Sequence, residues 1–165
     1  MPIDWERIVV EHGQMVLQTA MRILGHPADA EDVVQEVLME AYSRTPTDVR
    51  KWGAYLRKLA VFRALDRRRQ RRDVEPLSSE ACTDAGGSPL DEAVRRESAE
   101  HLRRIIASLP EREGAVFSLR YFEQLTNPQI AELLGISTAA VAAAVYKVRS
   151  KLESSLSNSS QGDTK

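Results

Sequence analysis

The side chains that could act on another molecule fall into three groups along the 165-residue chain. The first is Asp29, Asp32, Gln35 and Glu36. On a helix the last three lie at i, i+3 and i+4 and share one face, giving a polar, acidic patch suited to a basic partner surface. Charge runs of this kind are most often plain solvated faces. The second group is a cationic stretch interleaved with aromatics: Arg57, Lys58, Arg63, Arg67, Arg68, Arg69, Arg71 and Arg72 among Trp52, Tyr55 and Phe62. Cations track phosphates and aromatic rings offer stacking faces to unpaired bases, so the composition suits single-stranded nucleic acid. Its place in the apolar stripe assigns Trp52 to core packing, while Tyr55 fits packing and stacking equally. The third group is Gln129-Ile130-Ala131-Glu132-Leu133-Leu134-Gly135-Ile136-Ser137, followed by Val141 and Val145. This is the layout of a helix-turn-helix. Ala131 lets two helices approach, Gly135 supplies the positive φ of the turn, Ile136 plugs the corner, and the valines hold the second helix on the first. An ordinary helical hairpin shares parts of the pattern; the complete motif favours a helix presented to a major groove. Its candidate DNA contacts are Thr126, Gln129, Ser137, Thr138, Ala142, Ala144, Tyr146, Lys147 and Arg149.

No catalytic or metal-binding constellation accompanies them. Cys82 with His12, His26 and His101 has no zinc spacing. A single cysteine excludes an internal disulfide framework and suits a reducing cytoplasm. The mixed, acidic start from Met1 to Glu11 is not a signal peptide, and no stretch nears the roughly 18 apolar residues of a membrane span. The reading is therefore a cytoplasmic protein that is not an enzyme, with no cofactor, no metal, no small-molecule substrate and no direct membrane insertion.

Helices must position these groups. Trp5, Ile8, Val9, Val16, Ala20, Ile23 and Leu24 recur at three- and four-residue steps, predicting a helix over 5–24 that Gly25-His26-Pro27 breaks. Asp29 has the place of an N-cap for a second helix to about Ser43, with Val33, Val34, Val37, Leu38, Ala41 and Tyr42 inward. Thr45 to Asp48 reads as a break and cap. A third helix then carries Trp52, Tyr55, Leu56, Leu59, Phe62 and Leu65 and ends in the arginine run. Pro, Ser and Gly from Asp73 to about Pro89 read as linker. Beyond it the pattern predicts a helix from about Leu90 to Ser108, a capping box at Ser108-Leu109-Pro110-Glu111 with a helix to about Phe122, a second box at Thr126-Asn127-Pro128-Gln129, and a last helix capped by Ser137 with Val141, Val145, Val148 and Leu152 on one stripe. The fold class is all-α: two small helical domains, residues 1–72 and 98–156, joined by a flexible acidic linker over 73–97, with a disordered tail over 157–165.

The formal net charge of −1 hides strong segregation. Residues 1–43 carry −6, residues 44–72 carry +9, residues 73–100 carry −6 and residues 101–165 carry +2. A near-zero total argues against nucleic acid; the +9 block argues for it.

Two motifs resemble those of a known family. Asp29-Ala30-Glu31-Asp32-Val33-Val34-Gln35-Glu36-Val37 is similar to the polymerase-binding helix of extracytoplasmic-function sigma factors, the smallest members of the sigma-70 family. Leu109-Pro110-Glu111-Arg112-Glu113, Leu119-Arg120-Tyr121-Phe122 and Ile130 to Ser137 are similar to that family's DNA-binding C-terminal domain. The resemblance covers about residues 5–72 and 98–153. It implies an alternative sigma factor that docks on core RNA polymerase through Asp29, Asp32, Gln35 and Glu36. It implies capture of the promoter's minus-ten strand by Tyr55, Phe62 and the cations from Arg57 to Arg72, and anchoring of upstream duplex by the helix-turn-helix. It also implies an anti-sigma factor as a further partner. Two other readings share features: a sigma mimic that binds only an anti-sigma factor, and a stand-alone helix-turn-helix regulator. The family often has Trp where Tyr55 stands, Asn where Phe62 stands, and Lys, Ser and Arg where Ala142-Ala143-Ala144 stand. Alanine cannot hydrogen-bond a base edge, so readout at the minus-thirty-five position is expected to be weak or shape-dominated, and arginine at Ala144 to add about 1–3 kcal/mol. Replacing Arg67, Arg68 and Arg69 is expected to flatten the salt dependence of DNA binding.

Overall fold

Local signals set the helix ends. In the computed structural model, which describes residues 2–44, 49–72 and 89–161, α1 runs Trp5–Leu24, α2 Pro27–Arg44, α3 Trp52–Arg72, α4 Pro89–Ser108, α5 Glu111–Phe117, α6 Asn127–Leu134 and α7 Thr138–Gln161. A π-helical turn, Ser118–Phe122, continues α5. The expected cap at Asp48, the linker over 73–88 and the chain after 161 lie outside the described residues. The described residues hold no strand, and the fold is all-α.

The chain divides into two units, residues 1–107 and 108–165. In the first, α1, α2 and α3 each pack on the other two. The Asp4 carboxylate accepts from the Arg7 N–H at the start of α1, and Gly25, at φ +67°, closes it in the left-handed region that glycine reaches without a Cβ clash. The core is Ile8, Val16, Ala20, Ile23 and Leu24 from α1, Ala30, Val33, Val37 and Ala41 from α2, and Leu56, Ala60, Val61, Ala64 and Leu65 from α3. Burying a Val or Leu side chain contributes about 1.5–3 kcal/mol. Three expectations change. Val9 and Tyr42 turn outward, Tyr42 packing edge-on to Trp5 at 5.2 Å between ring centres. Asp29 sits inside the first turn of α2 and not at its cap, because the helix starts at Pro27, whose fixed φ suits a first turn.

α4 belongs by its contacts to the first unit, although the sequence pattern started the second domain at 98 and counted 89–97 as linker. Its side chains are the cause. Arg103 Nε donates to the Arg22 carbonyl at 2.8 Å, near the C-terminus of α1. Glu100 pairs with Arg68, and Arg69 Nε donates to the Ala107 carbonyl at 3.2 Å. Burial holds the Arg103 guanidinium below its ordinary pKa.

The second unit packs α5 and α6 against α7. Its core is Leu109, Ala115, Val116, Phe117, Leu119, Ile130, Ala131, Val141, Ala144 and Val148. Ser108 does not stand at the cap of α5 as the capping-box spacing at Ser108–Glu111 predicted: Pro110 takes that position, with no side-chain bond of its own. The π turn, where the Glu123 N–H reaches the Ser118 carbonyl at 3.1 Å, brings Phe122 and Phe117 edge to face, 6.4 Å apart. α7 continues helical to Gln161, five residues into the stretch expected as tail.

Candidate polymerase and nucleic-acid surfaces

α2 and α3 meet through a ladder of opposite charges. Glu40 holds Arg63, with Arg63 Nε donating at 2.8 Å. Glu36 and Asp32 both hold Arg67, at 2.9 and 2.8 Å. Asp29 stands 3.5 Å from Arg67 Nε and 2.5 Å from Arg71 Nη1. Partners descend α2 as they ascend α3, so the two helices run antiparallel. The spacing is that of helix faces: Arg63, Arg67 and Arg71 lie four apart, and the acids three or four apart. The Glu40 bond raises the Arg63 guanidinium above its ordinary pKa.

The ladder sorts the candidate polymerase-binding residues. Asp32, Gln35 and Glu36 share an exposed face, as their spacing predicted. Asp29 does not join them. It is 5% exposed, and its carboxylate faces Arg67 and Arg71 inside the bundle. Its place one turn before Asp32, on the side of α2 that carries Val33 and Val37, turns it toward α3.

The basic block is sorted too. Arg63, Arg67 and Arg71 face α2; Arg68 reaches Glu100 and the Leu24 carbonyl; Arg69 reaches the Ala107 carbonyl and stands 3.6 Å from Asp66. These five, expected to track phosphates, are joined to their own domain. Tyr55, Lys58 and Phe62 lie on a separate stripe at i, i+3 and i+7, all half-buried, with Arg57 half-buried beside them. The Arg72 side chain lies outside the described residues. Trp52 stands between Trp5 and Tyr55, at 5.2 and 5.8 Å, edge-on to both. Such pairs add about 0.5–1.5 kcal/mol beyond burial, so Trp52 packs as expected and Tyr55 lies at the rim of the same cluster. Sequence reasoning missed Glu40, Glu100 and Arg103. The one available signal was the matched spacing of the acids on 29–40 and the arginines on 63–71.

In the second unit, α6 and α7 turn through 110°, within the range of DNA-binding helix pairs. Thr126 caps α6: its hydroxyl accepts from the Gln129 N–H while the Gln129 side chain accepts from the Thr126 N–H. Gly135, at φ +66°, closes α6, and its N–H and that of Ile136 both reach the Ala131 carbonyl. The Ser137 hydroxyl accepts from the Ala140 N–H and caps α7. Thr126, Gln129 and Ser137 are therefore exposed but act locally as caps. Thr138, Ala142, Tyr146, Lys147 and Arg149 are exposed on α7. Arg149 lies over the Tyr121 ring, 5.5 Å from its centre, and donates to its hydroxyl. Lys151 pairs with Glu113 at 3.0 Å, tying α7 to α5. Ala144 is 6% exposed and faces the core with Val141 and Val148, so it does not face a base and arginine there cannot supply the expected contact.

A helix-turn-helix on one unit and a charge-laddered helical bundle on the other define a two-domain DNA-binding protein. The sequence pattern of sigma-70 region 2 matches residues 8–74, and that of sigma-70, region 4 matches residues 99–152. The chain is 31% identical over 147 residues to the ECF RNA polymerase sigma factor SigL of Mycobacterium tuberculosis, covering 84% of this chain and 81% of that one. A structure of CnrH in complex with the cytosolic domain of CnrY shares the fold, with a TM-score of 0.59 at 22% identity over 97% of this chain and 89% of that one. So does the sigma factor RpoE of Bartonella quintana in complex with the anti-sigma factor NepR, with a TM-score of 0.56 at 18% identity over 93% and 97%. The chain belongs to the sigma-70 family, in its extracytoplasmic-function group. It is an alternative sigma factor, which binds core RNA polymerase and directs promoter recognition. No single described helix is long and apolar enough to cross a membrane.

Proposed function

We propose that the factor docks on core polymerase through Asp32, Gln35 and Glu36 of α2, captures the minus-ten strand along the Tyr55–Lys58–Phe62 stripe of α3, and meets upstream duplex with the outer face of α7. The observation that carries the reading is the exposed face of Asp32, Gln35 and Glu36 within the region 2 match. Its chemistry supports it: Asp32 and Glu36 already hold one guanidinium, that of Arg67. A basic polymerase surface would offer them the same kind of donor in charge-assisted bonds. Asp29 is left out of the contact and acts as the buried anchor of the ladder. Arg63, Arg67, Arg68, Arg69 and Arg71 fix the pitch of α3 against its neighbours, leaving the aromatic stripe and Lys58 to face the strand. Tyr55 at the edge of an aromatic cluster suits a stacking platform, because its ring is held from one side.

The bond-making belongs to the polymerase, so the factor works in the cytoplasm without a catalytic group of its own. An anti-sigma factor is a further partner in this reading, as RpoE of Bartonella quintana has in NepR.

The test is co-elution of the full chain with core polymerase, followed by run-off transcription. Replacing Asp32 by asparagine and Glu36 by glutamine together should weaken core binding at least tenfold, while the melting of the first unit moves little, since exposed pairs contribute about 0–1 kcal/mol. Unchanged co-elution of the double variant would remove this face from the polymerase contact.

A further inference from the structure

α7 opens with a seven-residue stretch, Ala139 to Val145, that holds no side-chain hydrogen-bonding group. Packing divides it. Val141 and Ala144 turn into the core, while Ala139, Ala142 and Ala143 are exposed, and Tyr146, 73% exposed, continues their face one turn on. Thr138 begins that face and Lys147 ends it, both exposed. The Ser137 hydroxyl at the tip is engaged by the Ala140 N–H. The face is thus a row of methyl groups bounded by polar ends, carried at the 110° turn that presents a second helix to a groove.

A major groove offers donors and acceptors at every base pair but one apolar feature, the C5 methyl of thymine. Arg–guanine and Asn–adenine pairing need side chains this stretch lacks. We propose, building on the reading of α7 as the duplex-binding helix, that the factor reads its upstream element by thymine methyls: Ala139, Ala142 and Ala143 seat against them. Lys147 supplies charge for the flanking phosphate and Tyr146 closes the far end. Specificity upstream is then a preference for T·A steps set by methyl contact. Duplex DNA is the occupant the face fits, because the bent helix pair has the docking shape and the cation at its end, Lys147, matches a phosphate backbone.

Deoxyuridine tests this directly, since it removes the methyl and leaves pairing and every hydrogen-bonding edge in place. The full chain reconstituted with core polymerase is used to select from promoter duplexes randomised over ten upstream base pairs and over the minus-ten block. The selected duplex is then remade with deoxyuridine at each upstream thymine in turn. The expected result is an upstream block rich in thymine, with about a fourfold loss of affinity for each contacted methyl removed. Ala143→Ser, which places a hydroxyl against the methyl, should lower affinity for the thymine duplex more than for its deoxyuridine counterpart. An upstream block whose affinity ignores the substitution overturns the proposal. So does enrichment at the minus-ten block with none upstream. Enrichment at neither block overturns it together with the promoter-binding reading on which it rests.

Discussion

Asp29→Asn separates the two roles open to the acids of α2. The substitution keeps the shape of the side chain and deletes its charge. Asp29 is 5% exposed and faces two guanidinium groups, with Arg67 at 3.5 Å and Arg71 at 2.5 Å. Removing one partner of a fully buried ion pair costs about 3–5 kcal/mol, because the other charge stays behind unpaired. Here the arginines keep 28% and 31% of their side-chain surface in water, so solvent takes up part of the charge and the cost falls to about 2 kcal/mol. With a urea slope of about 2 kcal/mol per molar, the unfolding midpoint of the first unit should drop by about 1 M. The thermal midpoint should fall by about 8–15 °C. The assay can be confined to that unit, because the chain's two tryptophans, Trp5 and Trp52, both lie in it, 5.2 Å apart. Their fluorescence reports the first unit alone. Asp32→Asn is the internal comparison: its carboxylate is 54% exposed, so its stability should change by no more than about 1 kcal/mol while its core binding weakens. If Asp29→Asn melts within about 1 °C of the parent, the carboxylate is not buried between the arginines and the ladder argument is wrong.

Other outcomes follow from the same geometry. Ala144→Arg should lose upstream promoter affinity: forcing a long cation into a position 6% exposed costs about 2–4 kcal/mol, which circular dichroism should register as a lowered second transition while tryptophan fluorescence holds. Gly25→Ala and Gly135→Ala share a left-handed φ, +67° and +66°, at about 1–2 kcal/mol each. A methyl at Gly25 also meets the Arg103 guanidinium at 2.7 Å, whereas Gly135 opens on empty space, so Gly25→Ala should be the more damaging in a melting comparison. Lys58→Ala should flatten the log-log salt slope of binding to the single-stranded minus-ten element by about 0.7. Arg67→Ala should instead appear mainly as lost stability, since its charge is spent on Asp29, Asp32 and Glu36.

Most features that depend on a few neighbouring residues were legible in the sequence, the caps expected at Asp29 and Ser108 being displaced by Pro27 and Pro110. The Thr126–Gln129 capping box, the Gly25 and Gly135 stops and the Ser137 cap each need only a side chain and a backbone three or four residues away. What escaped depends on packing between elements. The run Ala139 to Val145 contains no polar residue to mark which side faces water, so only the stacking of α7 on α5 and α6 turns Ala144 in and Ala143 out. Val9 and Tyr42 fit the apolar period of their helices, but a three-helix bundle buries a narrower stripe than each helix offers. Arg103 gave no sign of reaching α1, because its partner is a backbone carbonyl far away in sequence. The helical fold and the two motifs were thus readable; which arginines remain available to DNA was not.

That last point changes what the charge blocks mean. A block of +9 beside one of −6 first suggested a cationic surface next to an acidic one, each waiting for a partner. The ladder shows much of both charges answering each other across α2 and α3. The outer rungs differ from the inner ones in burial. Asp29 is closed off, while Asp32 and Glu36 are half in water and hold Arg67 by bonds that exposure makes cheap to exchange. A basic polymerase surface that took over these two acids would therefore displace a guanidinium, not fill an empty site. Because Arg67 also faces Asp29, it would keep one carboxylate and stay with the bundle. On the proposed docking face, binding would then leave intact the helix pair that carries the aromatic stripe, because the buried rung at Asp29 would still hold Arg67.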